Sequence, residues 1–102
     1  MKIKTIDINA KEWFDKVNGN SYFSGSITLN YGTKSEKQIV MPFQYGYGEH
    51  YIDMAGQQLN KENIIKLVRH TNGSYTPLWQ YCRDNRIILR TLKQNNCKKR
   101  EL

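Results

Sequence analysis

Met41–Asp53 reads MPFQYGYGEHYID, and here the chain has to change from a strand to a helix. On an extended backbone Tyr45 and Tyr47 share one face. Gly46 and Gly48 leave the other face bare, so a ligand or another backbone can come close. Pro42 has no N–H for a ladder, so the arriving strand lies at a sheet edge, ends there or bulges. Acidic Glu49 suits the positive end of a helix. Tyr51, Ile52, Ala55 and Leu59 recur on one broad face, which predicts a helix over 49–59. Free N–H groups at a helix start near Gly48 would face a phosphate or carboxylate over the turn. Ring faces beside an anion site suit a nucleotide or an unpaired base. Tyr45, Gly46, Tyr47, Gly48, His50 and Tyr51 are therefore the candidate ligand-binding residues. The plainer reading is a glycine bend whose tyrosines pack over a corner. Neither a G-x-G-x-x-G fingerprint nor a phosphate-binding P-loop is present.

Upstream, Tyr22–Tyr31 alternates, with Phe23, Gly25, Ile27, Leu29 and Tyr31 pointing one way, as in a strand with one dry face. Gly32–Glu36 reads as a hairpin loop. Lys37–Phe43 returns with Ile39, Met41 and Phe43 on its dry face. Lys2–Ile8 is a short strand or arm. Asn9 and Glu12 form an Asn version of a capping box. That box predicts a helix carrying Trp13, Phe14 and Val17 and stopping at Asn18-Gly19.

Downstream, Asn60 is placed to cap a helix over Lys61–Arg69, and His70–Ser74 is a loop. Thr76-Pro77 opens a helix to Asp84 that buries Leu78, Trp79 and Cys82. Asn85 would end it in the left-handed conformation. Arg86–Leu92 is β-branched and Leu-rich and reads as a final strand, with continuation of the preceding helix as the alternative. The expected fold is α+β: a small antiparallel sheet (hairpin 22–31/37–43 plus strand 86–92) packed with three or four short helices. Residues 1–93 form a single domain and residues 94–102 a basic C-terminal tail.

Composition narrows the function classes. Of the 102 residues 38% are apolar, below the ordinary globular range of about 45–50%, but 12% are aromatic, so a core built from a few rings and β-branched residues is expected. The net charge is +7, with 16 Lys and Arg against 9 Asp and Glu. Arg86, Arg90, Lys93, Lys98, Lys99 and Arg100 make a basic ribbon that can track phosphates, or a charged outer face that guards an edge strand. Cys82 and Cys97 are read as free thiols in a reducing compartment. Met1–Asn9 lacks the apolar core of a signal peptide, and no run approaches the ~20 apolar residues of a membrane span.

Catalytic signals are thin. Glu49 and Asp53 lie one helical turn apart beside His50, a set able to do acid–base work or hold a divalent metal. The helix dipole favours the same two carboxylates. His50, His70, Cys82 and Cys97 are spaced 20, 12 and 15 apart, without the paired spacing of a closed zinc site. No metal and no cofactor is expected.

The stretches INAKEWF (Ile8–Phe14), SYFS (Ser21–Ser24), PFQYGYGEHY (Pro42–Tyr51) and PLWQYC (Pro77–Cys82) resemble a group of small uncharacterised proteins of tailed bacteriophages. The resemblance covers most of the chain and brings no assigned activity. It implies synthesis in the bacterial host cytoplasm and a role in host takeover, evasion of host defence or handling of phage nucleic acid. Together these readings point to a non-enzymatic module that binds nucleic acid or a nucleotide through the aromatic corner and the basic ribbon. A protein-interaction module that inhibits a host or defence protein is the second expectation. A small metal-dependent hydrolase using Glu49, His50 and Asp53 is the third. No membrane partner is expected, and a homodimer is left open.

Overall fold

A computed structural model describes residues 2–102; Met1, where the expected domain begins, lies outside the described residues. Four strands form one sheet: β1 (Thr5–Asp15), β2 (Asn20–Leu29), β3 (Lys37–Tyr45) and β4 (Ile88–Gln94). Two helices, α1 (His50–Lys61) and α2 (Leu78–Asp84), lie between β3 and β4, and a 3-10 turn spans Lys99–Glu101. The strand order is β3-β2-β1-β4. Neighbouring pairs in β1-β2-β3 are antiparallel, whereas β4 runs parallel to β1. The sheet is thus mixed, and the α-helices among the described residues number two. The thinnest dimension is 20 Å, the depth of one sheet and one helix layer.

The helix expected from Asn9 is instead the second half of β1. Ile6, Ile8 and Ala10 are buried while Asp7, Asn9 and Lys11 point away, a period of two that continues past Asn9. Glu12 to Asp15 pair with Phe23 to Asn20. A two-turn helix is marginal by itself, and Trp13 and Phe14 fit a pleated surface well, so the long ladder outweighs a weak cap. Gly19 does take a positive φ of +71°, but to close a hairpin. The Asp15 carboxylate accepts from the backbone N–H of Val17 (2.9 Å) and from Asn18 Nδ2 (2.8 Å). Its hydrogen bond from the Asn18 side chain holds it below the usual carboxylate value.

The helix expected over Lys61–Arg69 is absent because α1 ends in a closed C-terminal motif. Asn63 sits at φ +60°. Its N–H donates to Asn60 O (3.1 Å), and the Ile64 N–H donates to Leu59 O (3.0 Å). This is the double closure of a helix end around a left-handed residue. Asn60, expected as an N-cap, lies in the last turn of α1 and accepts from the Leu67 N–H (2.9 Å). The same closure ends α2, but Arg86 at φ +56°, not Asn85, takes the left-handed place. The Arg86 N–H donates to Arg83 O (3.3 Å) and the Ile87 N–H to Cys82 O (2.8 Å). Arg86 is therefore a turn residue, and β4 starts two positions later.

One face of the sheet carries the core. Ile6, Ile8, Phe23, Ile27, Leu29 and Met41 from the strands meet Tyr51, Ala55, Leu59, Leu78 and Cys82 from the helices. Burial pushes the Cys82 thiol up to about 11. Trp79, expected inside, is 54% exposed, with the Arg83 guanidinium 5.3 Å from its ring centre. At Gly25 the backbones of β1 and β2 come so close that a Cβ would collide with the Asn9 carbonyl oxygen and lie 2.9 Å from Ala10 Cα. Asn30, at φ +53°, ties down the N-terminal arm: its Oδ1 accepts from the Lys4 N–H (2.7 Å) and its Nδ2 donates to Lys2 O (3.0 Å).

Candidate nucleic-acid interface

Pro42 decides which side the end of β3 faces. Gly25 pairs with Met41 and Phe23 with Gln44, so Pro42 and Phe43 together oppose Ser24. One extra residue in β3 is a bulge, and it reverses the alternation beyond it. Phe43, expected on the dry face with Met41, turns to the uncovered face and Tyr45 goes with it. There they meet Trp13 and Tyr22. Trp13 stacks on Tyr22 with ring centres 5.6 Å apart, and Tyr22 stacks on Phe43 at 5.2 Å. Tyr45 meets Tyr22 edge-on at 5.8 Å. The result is an aromatic ladder across β1, β2 and β3. Its Phe43 and Tyr45 end is open, at 44% and 57% exposure.

The C-terminal residues fold back beside this ladder. Asn96 turns the chain at φ +58°, and the Cys97 N–H donates to Glu12 O (2.9 Å). The Lys99 ammonium then sits 5.5 Å from the Trp13 ring centre, a cation–π contact. Lys11, Lys98, Lys99 and Arg100 form no ion pair among the described residues, so their charge is free for a polyanion.

The predicted corner residues divide between the two sides. Tyr45 joins the ladder. Tyr51 is buried in the core and offers no free ring face. Gly46 is packed under Phe23 and His50, where an added Cβ would lie 2.5 Å from Phe23 Cε1, so the position has no room for a side chain. Gly48 has the positive φ (+62°) that the turn into α1 demands. Tyr45, Gly46, Tyr47 and His50 line a shallow depression with Glu49 and Asp53. Among the described residues no group of three or more His, Cys, Asp and Glu side chains could hold a metal ion.

The ribbon also divides. Lys93 reaches the corner: its ammonium donates to Gly48 O (2.7 Å) and Glu12 Oε1 (3.3 Å) and lies 5.8 Å from the Tyr51 ring centre. Those bonds make it a structural tie, not a free phosphate ligand. Arg90 points to the uncovered face but is held by both oxygens of Asp7, at 2.6 and 2.9 Å. That hydrogen bond and charge raise the guanidinium pKa further. Arg86, exposed in the turn before β4, and Lys98, Lys99 and Arg100 form no ion pair among the described residues. The sequence reading missed Trp13, Tyr22 and Phe43; its false helix and unbroken β3 alternation hid them, although Trp13 and Tyr22 pair directly once 9–15 is read as strand.

No helix among the described residues is long and apolar enough to cross a membrane. No family model, curated protein or solved structure matches the chain.

Proposed function

We infer that this protein is a non-enzymatic module that binds single-stranded nucleic acid on the uncovered face of its sheet, in the cytoplasm of a phage-infected bacterium. The observation that carries this reading is the ladder Trp13–Tyr22–Phe43 with Tyr45, on the solvent side of a sheet and next to Lys99. Base stacking on exposed rings is sequence-tolerant and contributes about 1–3 kcal/mol per base. Phe43 and Tyr45 are the free stacking surfaces. Lys11, Lys98, Lys99 and Arg100 supply the phosphate contacts.

Binding of the full chain to labelled single- and double-stranded oligonucleotides, by fluorescence anisotropy across a salt series, tests the reading. Single strands should bind more tightly than duplexes. The affinity should fall with a log–log salt slope of roughly 2–3, since each phosphate contact contributes about 0.7. Phe43→Ala or Tyr45→Ala should each weaken binding about tenfold. Absence of salt-sensitive binding to any nucleic acid would overturn the reading.

One observation favours a second reading, a surface for an acidic host or defence protein. Val40 and Leu92 are 71% and 58% exposed on the same face as the basic tail, and apolar patches rimmed by charge are common protein interfaces. A pull-down from host lysate that survives nuclease treatment would favour that reading over the first.

A further inference from the structure

The uncovered face is organised in rows across the strands. Arg90, Asp7, Thr28 and Gln38 form one row, and the ladder residues Trp13 and Tyr22 with Tyr45 form another. Two rows lie between them: Leu92, Asn9, Ser26 and Val40, then Gln94, Lys11 and Ser24 facing the Pro42–Phe43 bulge. Ser24 and Ser26 are the smallest side chains on this face of β2, and they stand between Tyr22 and Thr28. The floor is therefore low where both flanking rows are high. The result is a groove of about 460 Å³, partly roofed by Glu101 and Leu102 of the folded-back tail. That volume lies within the ~300–1,000 Å³ of small-ligand sites.

The chemistry of the floor is specific. Asn9, Ser24, Ser26 and Gln94 carry hydrogen-bonding side chains, and among the described residues none of them bonds to another protein group. Val40 and Leu92 are apolar at the two sides, and Phe43 stands at the aromatic end. A planar heteroaromatic group with donors and acceptors along its edge matches this pattern. Amides and hydroxyls in a groove can pair with base edges, whereas lysines on the rim position the backbone without reading sequence.

We propose that this groove is a base-reading notch, which takes one nucleobase of the bound strand and reads its edge through Asn9, Ser26 and Gln94. The proposal rests on the reading of this face as a nucleic-acid surface. It adds that the protein prefers one base over others. Lys11 lies beside the notch for the adjoining phosphate, and Phe43 joins the notch to the ladder, so the next base along the strand stacks there.

The test uses the full chain and short labelled homopolymers of adenine, cytosine and uracil at fixed salt. One base should bind about tenfold more tightly than the poorest, the discrimination that one well-made set of base-edge bonds supplies. Ser26→Leu fills the notch from its floor and should bring that ratio close to one. Asn9→Ala, which removes an amide without adding bulk, should reduce the ratio several-fold and carries the test if the leucine variant fails to fold. Equal binding of all three homopolymers by the unaltered chain would overturn the notch while leaving the nucleic-acid reading intact. So would a base preference that survives both substitutions. No binding to any homopolymer would overturn both.

Discussion

The two faces of this sheet are built from the same strands but stabilise different things. The covered face is mostly aliphatic, with Phe23 and Tyr51 among the packed side chains, and is sealed by α1 and α2. The uncovered face carries rings, small hydroxyls and charges that bond to little else. Burial of a large aliphatic or aromatic side chain contributes about 1.5–3 kcal/mol, so the covered face holds the fold. The uncovered face can then be spent on binding. The division holds only if substitutions on the two faces separate stability from affinity.

The sharpest contrast lies at neighbouring positions of β2. Gly25→Val should destabilise the protein by at least ~3 kcal/mol in urea unfolding, because its Cβ meets backbone that cannot move aside. Ser24→Val, one residue away on the other face, should stay within about 0.5 kcal/mol. Similar losses for the two would break the division. The aromatic pair Phe23 and Phe43 extends it: Phe23 is 2% exposed, so Phe23→Ala should cost about 3–5 kcal/mol. Phe43→Ala, expected to weaken nucleic-acid binding, should cost only about 0.5–1.5 kcal/mol of stability.

Lys93 is the one basic residue of β4 with its charge engaged on the covered side. Lys93→Met leaves the Glu12 carboxylate and the Gly48 carbonyl without their donor, at a cost of about 1–3 kcal/mol. Lys99→Ala should scarcely move stability and should lower the salt slope by about 0.7. A loss of salt dependence in the Lys93 variant equal to that of Lys99→Ala would return Lys93 to the binding surface. The smallest effect is a gain. Arg86→Gly should raise stability by roughly 0.5–1 kcal/mol, since its φ of +56° suits glycine better than arginine. Thermal unfolding would show that gain as a few degrees.

The hairpin of β2 and β3 was legible because alternation and turn residues agree there. The α2 helix was legible through Pro77 and the apolar Leu78 and Cys82, although Pro77 is the N-cap and not the first helical residue, and the Thr76 hydroxyl donates to Val68 O. The first strand was legible only in its first half, within the expected Lys2–Ile8. Beyond Ile8, Asn9-Ala-Lys-Glu12 has the pattern of a local cap, and the signal against it is non-local: ten residues of β2 that accept β1 edge to edge. The helix end at Arg86 was obscured because arginine does not advertise a left-handed position, and the one at Asn63 because the apolar Ile64, Ile65, Leu67 and Val68 beyond it imitate a helix face. At the binding face, Tyr45 and Lys99 were within reach of sequence reasoning. The partnership of Trp13, Tyr22 and Phe43 was not, because it depends on Asn9–Asp15 being strand and on a single extra residue at Pro42–Phe43.

The parallel pairing of β4 with β1 has a consequence for how the chain is made. Asp7 and Arg90 are 83 positions apart. On the ribosome β1, β2 and β3 can assemble well before β4 exists. At roughly 5–20 residues per second the interval lasts about 2–10 s. Throughout it β1 is a bare sheet edge, open to strands of other nascent chains. A charge on an exposed edge discourages such pairing. Asp7 and Lys11 put such charge on β1, and Asp7 is later paired by Arg90.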